Sequence, residues 1–175
     1  EPLDMSFNNK DGLTAAEIIN QWPPEAIEKI LREYGEERFA KKISEAIIDR
    51  RKKKPIISTF QLVETIKNSV PLWYRGKRIH FATKTFQALR IAVNDEIGNL
   101  EAVLKQFPEI LKKGGRGLVI SFHSLEDRLV KKSFRELKEK GIARIITKKP
   151  IRPSLGEIKL NPRARSAKLR VIEIL

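Results

Sequence analysis

The 175-residue sequence contains no cysteine, which excludes a disulfide scaffold, a cysteine-ligated zinc site and a thiol nucleophile. Its 2 histidines, His80 and His123, are too few for most histidine-based metal sites, so we expect no metal centre. No apolar run approaches the roughly 20 residues that a membrane-spanning helix needs, and no signal-peptide pattern opens the chain. We therefore expect a soluble, cytoplasmic protein without a membrane partner.

Positive charge is the first informative property that the sequence does have. Lysine and arginine total 36 against 22 aspartates and glutamates, a formal net charge of +14. Residues 1–40 are acidic, whereas residues 41–90 contain thirteen basic and three acidic side chains, and residues 144–175 contain nine and two. Clustered lysine and arginine can replace the counterions of phosphates, so the pattern suggests a polyanionic partner. Charge alone leaves open a basic surface that is merely solvated.

Residues 13–78 show the apolar spacing of short helices joined by short turns. Thr14 and Glu17 are spaced as a capping box at the start of the first helix. The third helix ends in the basic run Arg50–Lys54. We therefore predict a compact helical domain over residues 13–78, preceded by an entry loop over residues 1–12.

The hydrophobic period changes in the remaining part of the chain, residues 79–175. Residues 85–104 have one long helical pattern that Pro108 interrupts, and Gly117–Phe122 is an apolar run typical of a buried parallel strand. A helix and two further strands are predicted at residues 125–140, 143–147 and 169–174. This order of elements predicts an α/β fold.

The segment Ser121–Arg128 joins the predicted strand to the next helix, where open α/β sheets place their ligands. Ser124 is a natural N-cap, and Asp127 suits the first helical turn. Capping does not account for His123, which is as consistent with a buried structural histidine as with a functional one. Ser121, His123 and Asp127 also suggest a hydrolase triad, but the G-x-S-x-G elbow of such enzymes is absent.

Two further groups of polar residues could bind a nucleic acid. Three side chains of the long helix are spaced to share one face: Gln87, Arg90 and Asn94. The other group is the segment 161–168, in which Arg163 and Arg165 lie two residues apart. On an extended segment they would point the same way and suit phosphate contact. For both groups the alternative is a solvated polar surface.

Five segments together resemble one known protein family. They are, in chain order, EPLDM, YGEERFAKKI, HFATKTFQALRIAVNDE, SFHSLEDRLVK and NPRARSAKLR. From Glu1 to about Arg170 the chain resembles the bacterial 16S rRNA (cytosine-N4)-methyltransferases, the MraW or methyltransferase H family. The resemblance implies methyl transfer from S-adenosylmethionine to N4 of a cytidine in the decoding region of 16S rRNA, on the small ribosomal subunit.

The resemblance also implies an architecture. Residues 13–78 would be an all-α substrate-recognition insertion, and residues 79–175 the C-terminal half of a Rossmann-like methyltransferase sheet, with an antiparallel last strand. Family members begin with strands that hold the cofactor on a glycine-rich loop, and no such turn lies near Glu1. We therefore expect the cofactor-binding half to be missing here and supplied in cis or in trans. An exposed sheet edge would also permit a homodimer.

For this activity we predict specific site residues. The catalytic positions are His123, Ser124 and Asn94. The positions expected to bind the RNA substrate are Thr85, Gln87, Arg90, Asn161, Arg163 and Arg165. The Arg50–Lys54 run, with Trp73 and Tyr74, would engage the rRNA farther from the target base. A non-catalytic basic RNA-binding module is the alternative function, and the hydrolase is a more distant one.

Overall fold

The computed structural model describes residues 1–7 and 12–175 and has a mixed α/β fold. The chain divides into two compact units, Glu1–Glu96 and Ile97–Leu175. This division differs from the predicted boundary at residue 78, because the helix that follows it packs with the helical unit. No helix in the described ranges is long and apolar enough to cross a membrane.

The first unit is built from helices, apart from an isolated bridge between Pro2 and Ser58 among its described residues. Its helices are α1 (Ala15–Gln21), α2 (Pro24–Glu33), α3 (Ala40–Lys53), α4 (Thr59–Ser69), α5 (Leu72–Arg75) and α6 (Thr83–Asn94). The predicted capping box is confirmed at α1, where Oγ1 of Thr14 accepts from the N–H of Glu17 at 3.2 Å and the Glu17 carboxylate accepts from the N–H of Thr14 at 2.8 Å. Ser58 caps α4 in the same way, with Gln61.

The first residues, for which an entry loop is predicted, form no helix over residues 1–7 and pack into the helical unit. The side chain of Leu3 is buried in the core, and its N–H donates to the carbonyl of Ile57 at 3.1 Å. Its own carbonyl accepts from the N–H of Ala16 at 2.8 Å. Residues 8–11 of the predicted loop lie outside the described residues.

Helix α6 packs against the turn that follows α2. The ammonium of Lys84 donates to the carbonyl of Glu36 at 2.7 Å, and the amide of Gln87 donates to the carbonyl of Tyr34 at 3.2 Å. Gly35 lies between these two carbonyls, and a Cβ there would come within 2.7 Å of the carbonyl oxygens of Leu31 and Lys84. Only glycine therefore permits the two helices to approach this closely.

The predicted long helix is two helices, and this expectation was wrong. Helix α6 ends at Asn94, and α7 (Glu96–Ile110) begins after Asp95, whose φ of 45° is left-handed. A left-handed residue ends a helix, and aspartate tolerates that conformation better than most side chains. Pro108 lies inside α7 instead of ending it, two residues before the last residue of the helix.

The second unit contains a three-stranded sheet with helices on one face. The strands are β1 (Arg116–Ser121), β2 (Ala143–Ile145) and β3 (Lys168–Ile174), and the further helices are α8 (Ser124–Glu139), α9 (Leu155–Leu160) and a 3-10 helix, Pro162–Ser166. The strand order is β1–β3–β2, with both pairings antiparallel. The antiparallel last strand is therefore confirmed.

One face of β1 is open, which corrects the prediction of a buried parallel strand. Leu118 and Ile120 alternate with inward-facing residues and are 60% and 58% exposed. On the other face, Gly117 leaves room for the ring of Phe107, which would lie 2.4 Å from a Cβ there. Phe107 and Phe134 belong to the core between the helices and the sheet. The strand is an edge strand with a single covered face in the described part of the unit.

We predict that Gly35→Ala lowers the free energy of unfolding by about 1–3 kcal/mol, because the added methyl meets two backbone carbonyls that cannot move independently. Urea unfolding followed by tryptophan fluorescence measures this, since both tryptophans lie in the helical unit. Gly76→Ala is the matched control, because a Cβ there meets nothing within 4 Å. Equal stabilities of the two variants would contradict the packing argument.

Candidate functional site

A cleft of about 310 Å³ lies where β1 ends and α8 begins. It is lined by Phe122, His123, Ser124, Arg152, Arg165, Ser166, Ala167 and Lys168. The structure therefore brings together three of the predicted site residues, His123, Ser124 and Arg165. Three cations and no carboxylate are among these lining residues, so the cleft is suited electrostatically to an anionic ligand.

The N-cap of α8 is His123, and the prediction that Ser124 is the cap was wrong. Nδ1 of His123 accepts from the N–H of Glu126 at 3.3 Å, and the Glu126 carboxylate accepts from the N–H groups of Phe122 at 2.7 Å and His123 at 3.3 Å. An Nδ1 that accepts a hydrogen bond carries no proton, so the neutral ring is protonated at Nε2. In this geometry Nε2 of His123 is buried 3.5 Å from the Glu126 carboxylate, and its Nδ1 lone pair is not available as a base.

An ion-pair network ties α8 to β3 beside the cleft. The Asp127 carboxylate accepts from Nε of Arg170 at 2.7 Å and from Nζ of Lys168 at 3.0 Å. Burial raises the pKa of Asp127, but the hydrogen bonds and charges of Arg170 and Lys168 outweigh it and hold the pKa below its ordinary value. Asp127 thus stays ionised and fixes Lys168 at the cleft.

The same network removes the basis for a hydrolase triad. The carboxylate of Asp127 is engaged by two cations, whereas a triad needs it on the imidazole. Oγ of Ser121 is buried and makes no hydrogen bond within the described ranges. The geometry at Ser121, His123 and Asp127 is therefore that of a strand end and a helix start.

The segment 161–168 differs from the predicted extended conformation. Residues Pro162–Ser166 form a 3-10 helix, whose start is capped by Oδ1 of Asn161, an acceptor of the N–H of Arg163 at 3.2 Å. With three residues per turn, Arg163 and Arg165 point in different directions. Arg165 lines the cleft and Arg163 does not, so the expectation that they point the same way was wrong.

Three of the predicted α6 residues make contacts inside the helical unit. Thr85 is completely buried, and its hydroxyl has no hydrogen-bond partner in the part of the chain that is described. The amide of Gln87 holds the carbonyl of Tyr34, and Nε of Arg90 donates to the Glu96 carboxylate at 2.6 Å. Burial argues against RNA contact by Thr85, while such contacts by Gln87 and Arg90 stay predictions.

Asn94 anchors the beginning of the chain to α6. Its Nδ2 donates to the carbonyl of Met5 at 3.0 Å, and its Oδ1 accepts from the N–H of Phe7 at 2.9 Å. These bonds between residues nearly ninety positions apart give Asn94 a structural role that helical spacing could not indicate. Its predicted catalytic role stays a prediction.

A second feature, which we call the aromatic cluster, lies in the helical unit and comprises Phe39, Trp73 and Tyr74. Their rings meet edge to face, with centroids 4.9–5.9 Å apart. Trp73 is 54% exposed, with the Arg38 guanidinium 5.7 Å and the Lys77 ammonium 5.1 Å from its ring centroid. An exposed ring with adjacent cations is how proteins stack unpaired bases. Sequence reasoning found Trp73 and Tyr74 but missed the part that Phe39 has in the cluster.

The aromatic cluster is held from beneath by a buried hydrogen bond. The hydroxyl of Tyr74 donates to the Glu37 carboxylate at 2.8 Å, and both residues are buried. Burial, together with the hydrogen bond and the charge of Glu37, raises the pKa of Tyr74 above its ordinary value. Tyr74 therefore remains a donor at any physiological pH and orients the neighbouring rings.

The basic run Arg50–Lys54 is partly structural. The guanidinium of Arg51 donates to the carbonyls of Ile19 and Trp22 at 2.8 Å each, where α1 ends. The guanidinium of Arg50 donates to the carbonyl of Lys54. These two arginines stabilise helix ends. Fewer cations of this run are therefore available for RNA than the charge of the sequence suggested.

Comparison with known proteins decides the family. The model of the MraW methylase family matches residues 1–175. The chain belongs to the MraW methylase family. The ribosomal RNA small subunit methyltransferase H of Kosmotoga olearia is 50% identical over 99% of this chain and 57% of its own length. The proteins of the same name from Trichodesmium erythraeum and Synechocystis are 51% and 52% identical.

This membership confirms the resemblance inferred from the five segments. The chain spans less than two thirds of the length of these relatives, 59% for the Trichodesmium protein and 54% for the Synechocystis protein. Their names state a ribosomal RNA substrate for those proteins. For this chain, an RNA substrate has to be argued from its own residues, which are those of the cleft and of the aromatic cluster.

We predict that Asp127→Asn lowers the free energy of unfolding at pH 7 by about 3 kcal/mol, because it leaves the buried Arg170 without its counter-charge. Because folding lowers the pKa of Asp127 from 3.8, its stabilisation is full above about pH 4 and is lost as the pH falls through the folded-state pKa. Urea unfolding at pH 7 and pH 3 should therefore show a difference from the original chain that shrinks in acid.

Asp49→Asn is the matched control for this prediction, since Asp49 is exposed and pairs with Lys52 at 3.8 Å. An exposed pair contributes less than about 1 kcal/mol. Equal losses in the two variants, or a difference for Asp127→Asn that does not change with pH, would contradict the proposed network.

Proposed function

We propose that this chain supplies the RNA-binding side of an enzyme that methylates N4 of a cytidine in the decoding region of 16S rRNA. The observation that carries the proposal is the cleft at the start of α8, where three cations surround the His123 turn in a chain of the MraW family. Binding of RNA phosphates would account for these cations. A site for a target base would account for the polar side chains of His123 and Ser124 beside them.

The chemistry of the target explains what the cleft must do. The lone pair of cytidine N4 is delocalised into the ring, so the amine is a poor nucleophile and needs close alignment with the methyl group. The base must also be unpaired or extruded from a stack to reach a site. Arg152, Arg165 and Lys168 would bind the flanking phosphates, which positions the nucleotide.

Within this proposal His123 shapes the wall of the cleft beside the base. Its Nδ1 holds the helix start, and its Nε2 is buried 3.5 Å from the Glu126 carboxylate, so the ring fixes the turn that carries Ser124. Ser124 lines the same cleft, and a serine hydroxyl can either donate or accept a hydrogen bond. Methylation of N4 releases one amine proton, and Nδ1 of His123 cannot accept it because this atom is occupied by the N–H of Glu126.

The aromatic cluster supports RNA as the substrate of the helical unit. Stacking on a ring such as Trp73 requires an unpaired base, and adjacent cations would neutralise its phosphate. This observation agrees with a methyltransferase that needs its target base out of the stack. The predicted role of Trp73 and Tyr74 is therefore kept in the proposal, with Arg38 and Lys77 added.

Methyltransferase families use S-adenosylmethionine, whose reactive sulfonium is positively charged. The described lining of the cleft does not fit this group, since it has three cations and no carboxylate. The open face of β1, with Leu118 and Ile120 exposed, has the character of a surface that a further segment covers. We propose that such a segment, in cis or in trans, binds the methyl donor.

The poor fit between S-adenosylmethionine and the cleft also supports a second candidate function, an RNA-binding module without catalysis. Both candidates require the cationic cleft and the aromatic cluster, so RNA binding does not separate them. They differ in whether adding a donor-binding segment restores methylation of 16S rRNA. Incorporation of labelled methyl groups into the RNA distinguishes the two.

We predict that Arg165→Ala weakens binding to a single-stranded oligoribonucleotide of the 16S decoding region about fivefold at 0.1 M salt, and lowers the slope of log affinity against log salt by about 0.7. Fluorescence anisotropy over a salt series measures both quantities. Arg163→Ala is the matched control, because it removes the same charge from the same 3-10 helix outside the cleft. Equal effects of the two variants would contradict the assignment of the cleft.

We also predict that the 175-residue chain binds S-adenosylmethionine weakly or not at all, because no described carboxylate of the cleft compensates the sulfonium charge. Isothermal titration calorimetry with S-adenosylmethionine measures this directly. A micromolar dissociation constant would show that these residues suffice for the cofactor and would overturn the proposed further segment.

A further inference from the structure

A second groove, separate from the His123 cleft, lies along the C-terminal half of α8. Its volume is about 200 Å³. The lining residues are Lys131, Phe134, Arg135, Lys138, Ile145, Thr147, Lys148 and Arg170. Five of these eight are cations and none is acidic. We call this feature the basic groove.

The cations of the basic groove are arranged in a row. Lys131, Arg135 and Lys138 are four and three residues apart, so they share one face of α8. At 1.5 Å per residue they extend over about 10 Å of the helix. That length matches about three stacked nucleotides, at about 3.4 Å each. Lys148 faces the row from the segment after β2.

Most of these cations have no ion-pair partner among the described residues. Lys131, Arg135, Lys138 and Lys148 are exposed and form no ion pair with any described residue. Arg170 differs, because its guanidinium is bound to Asp127 and closes the groove at its base. Four unneutralised charges around one groove repel each other, which an anionic ligand would relieve.

On the opposite side of α8 the cations are balanced by carboxylates, so the excess of positive charge is confined to one face of the helix. A smaller groove of about 70 Å³ between α7 and α8 contains two lysines and two glutamates. There Lys105 pairs with Glu101 at 2.8 Å, and Lys132 pairs with Glu136 at 3.9 Å. The same helix thus neutralises its cations on one side and leaves them unpaired on the other.

We propose that the basic groove binds the sugar–phosphate backbone of the RNA strand whose target base enters the His123 cleft. This inference rests on the proposed function. Phe134 is buried, so no exposed aromatic ring lines the groove to stack a base, and contact through phosphates is independent of sequence. Because α8 begins at the cleft and Lys131 lies about 10 Å along it from Ser124, one strand can reach both sites.

The test compares two double variants of the 175-residue chain that remove equal charge from the two sides of α8. Lys131→Ala/Arg135→Ala removes two of the five cations of the basic groove, and Lys105→Ala/Lys132→Ala removes the two paired lysines. The probe is a labelled 12-nucleotide single-stranded RNA of mixed sequence, titrated by fluorescence anisotropy from 50 to 300 mM potassium chloride. Thermal unfolding followed by circular dichroism checks that both variants are folded.

We expect the basic-groove variant to bind about 25-fold more weakly at 0.1 M salt, with a slope lower by about 1.4, since each lost phosphate contact removes about 0.7 from the slope. The control should remain within about twofold of the original chain. Equal affinities of the two variants, while Arg165→Ala still weakens binding, would overturn the groove and leave the proposed function intact. Absence of RNA binding by the original chain would overturn both.

Discussion

The ion pairs of Asp127 with Arg170 and Lys168 are the interaction on which the candidate site depends. They connect the first turn of α8 to the central strand of the sheet, so the start of the helix cannot shift without separating buried charges. The lowered pKa of Asp127 keeps its carboxylate ionised, which a buried arginine requires. Because Lys168 also lines the cleft, the contact that fixes the helix also places a cation at the site.

The pairing of the cations is more informative than their number. A net charge of +14 suggests a polyanionic partner, yet many of the basic groups are used within the fold. Arg51 donates to backbone carbonyls at the end of α1, and Arg90 pairs with Glu96. Arg116 and Arg144 both pair with Glu173 across the three strands. The cleft and the basic groove each contain two or more cations that form no ion pair with any described residue. These surfaces lie at the start and along the second half of one helix, which is the arrangement an extended strand requires.

Local signals predicted many of the elements but misassigned some of their ends. The capping box at Thr14 and the antiparallel last strand were found because both depend on residues close in sequence or on the resemblance to the family. The cap at His123 was missed because the adjacent Ser124 has the stronger capping preference. The break at Asp95 was missed because the apolar period continues across it, and a single left-handed residue leaves that period unchanged.

The sequence by itself determined the first four helices of the first unit, the mixed α/β class and the family, because short-range spacing and ordered motifs specify them. Only the tertiary structure decided which polar side chains remain available for a ligand. Gln87, Arg90 and Asn94 share a helix face, but each bonds a group elsewhere in the helical unit. Arg165 reaches the cleft and Arg163 does not. Hydrogen bonds and ion pairs between distant residues depend on distances in the folded chain, which spacing along the sequence does not encode.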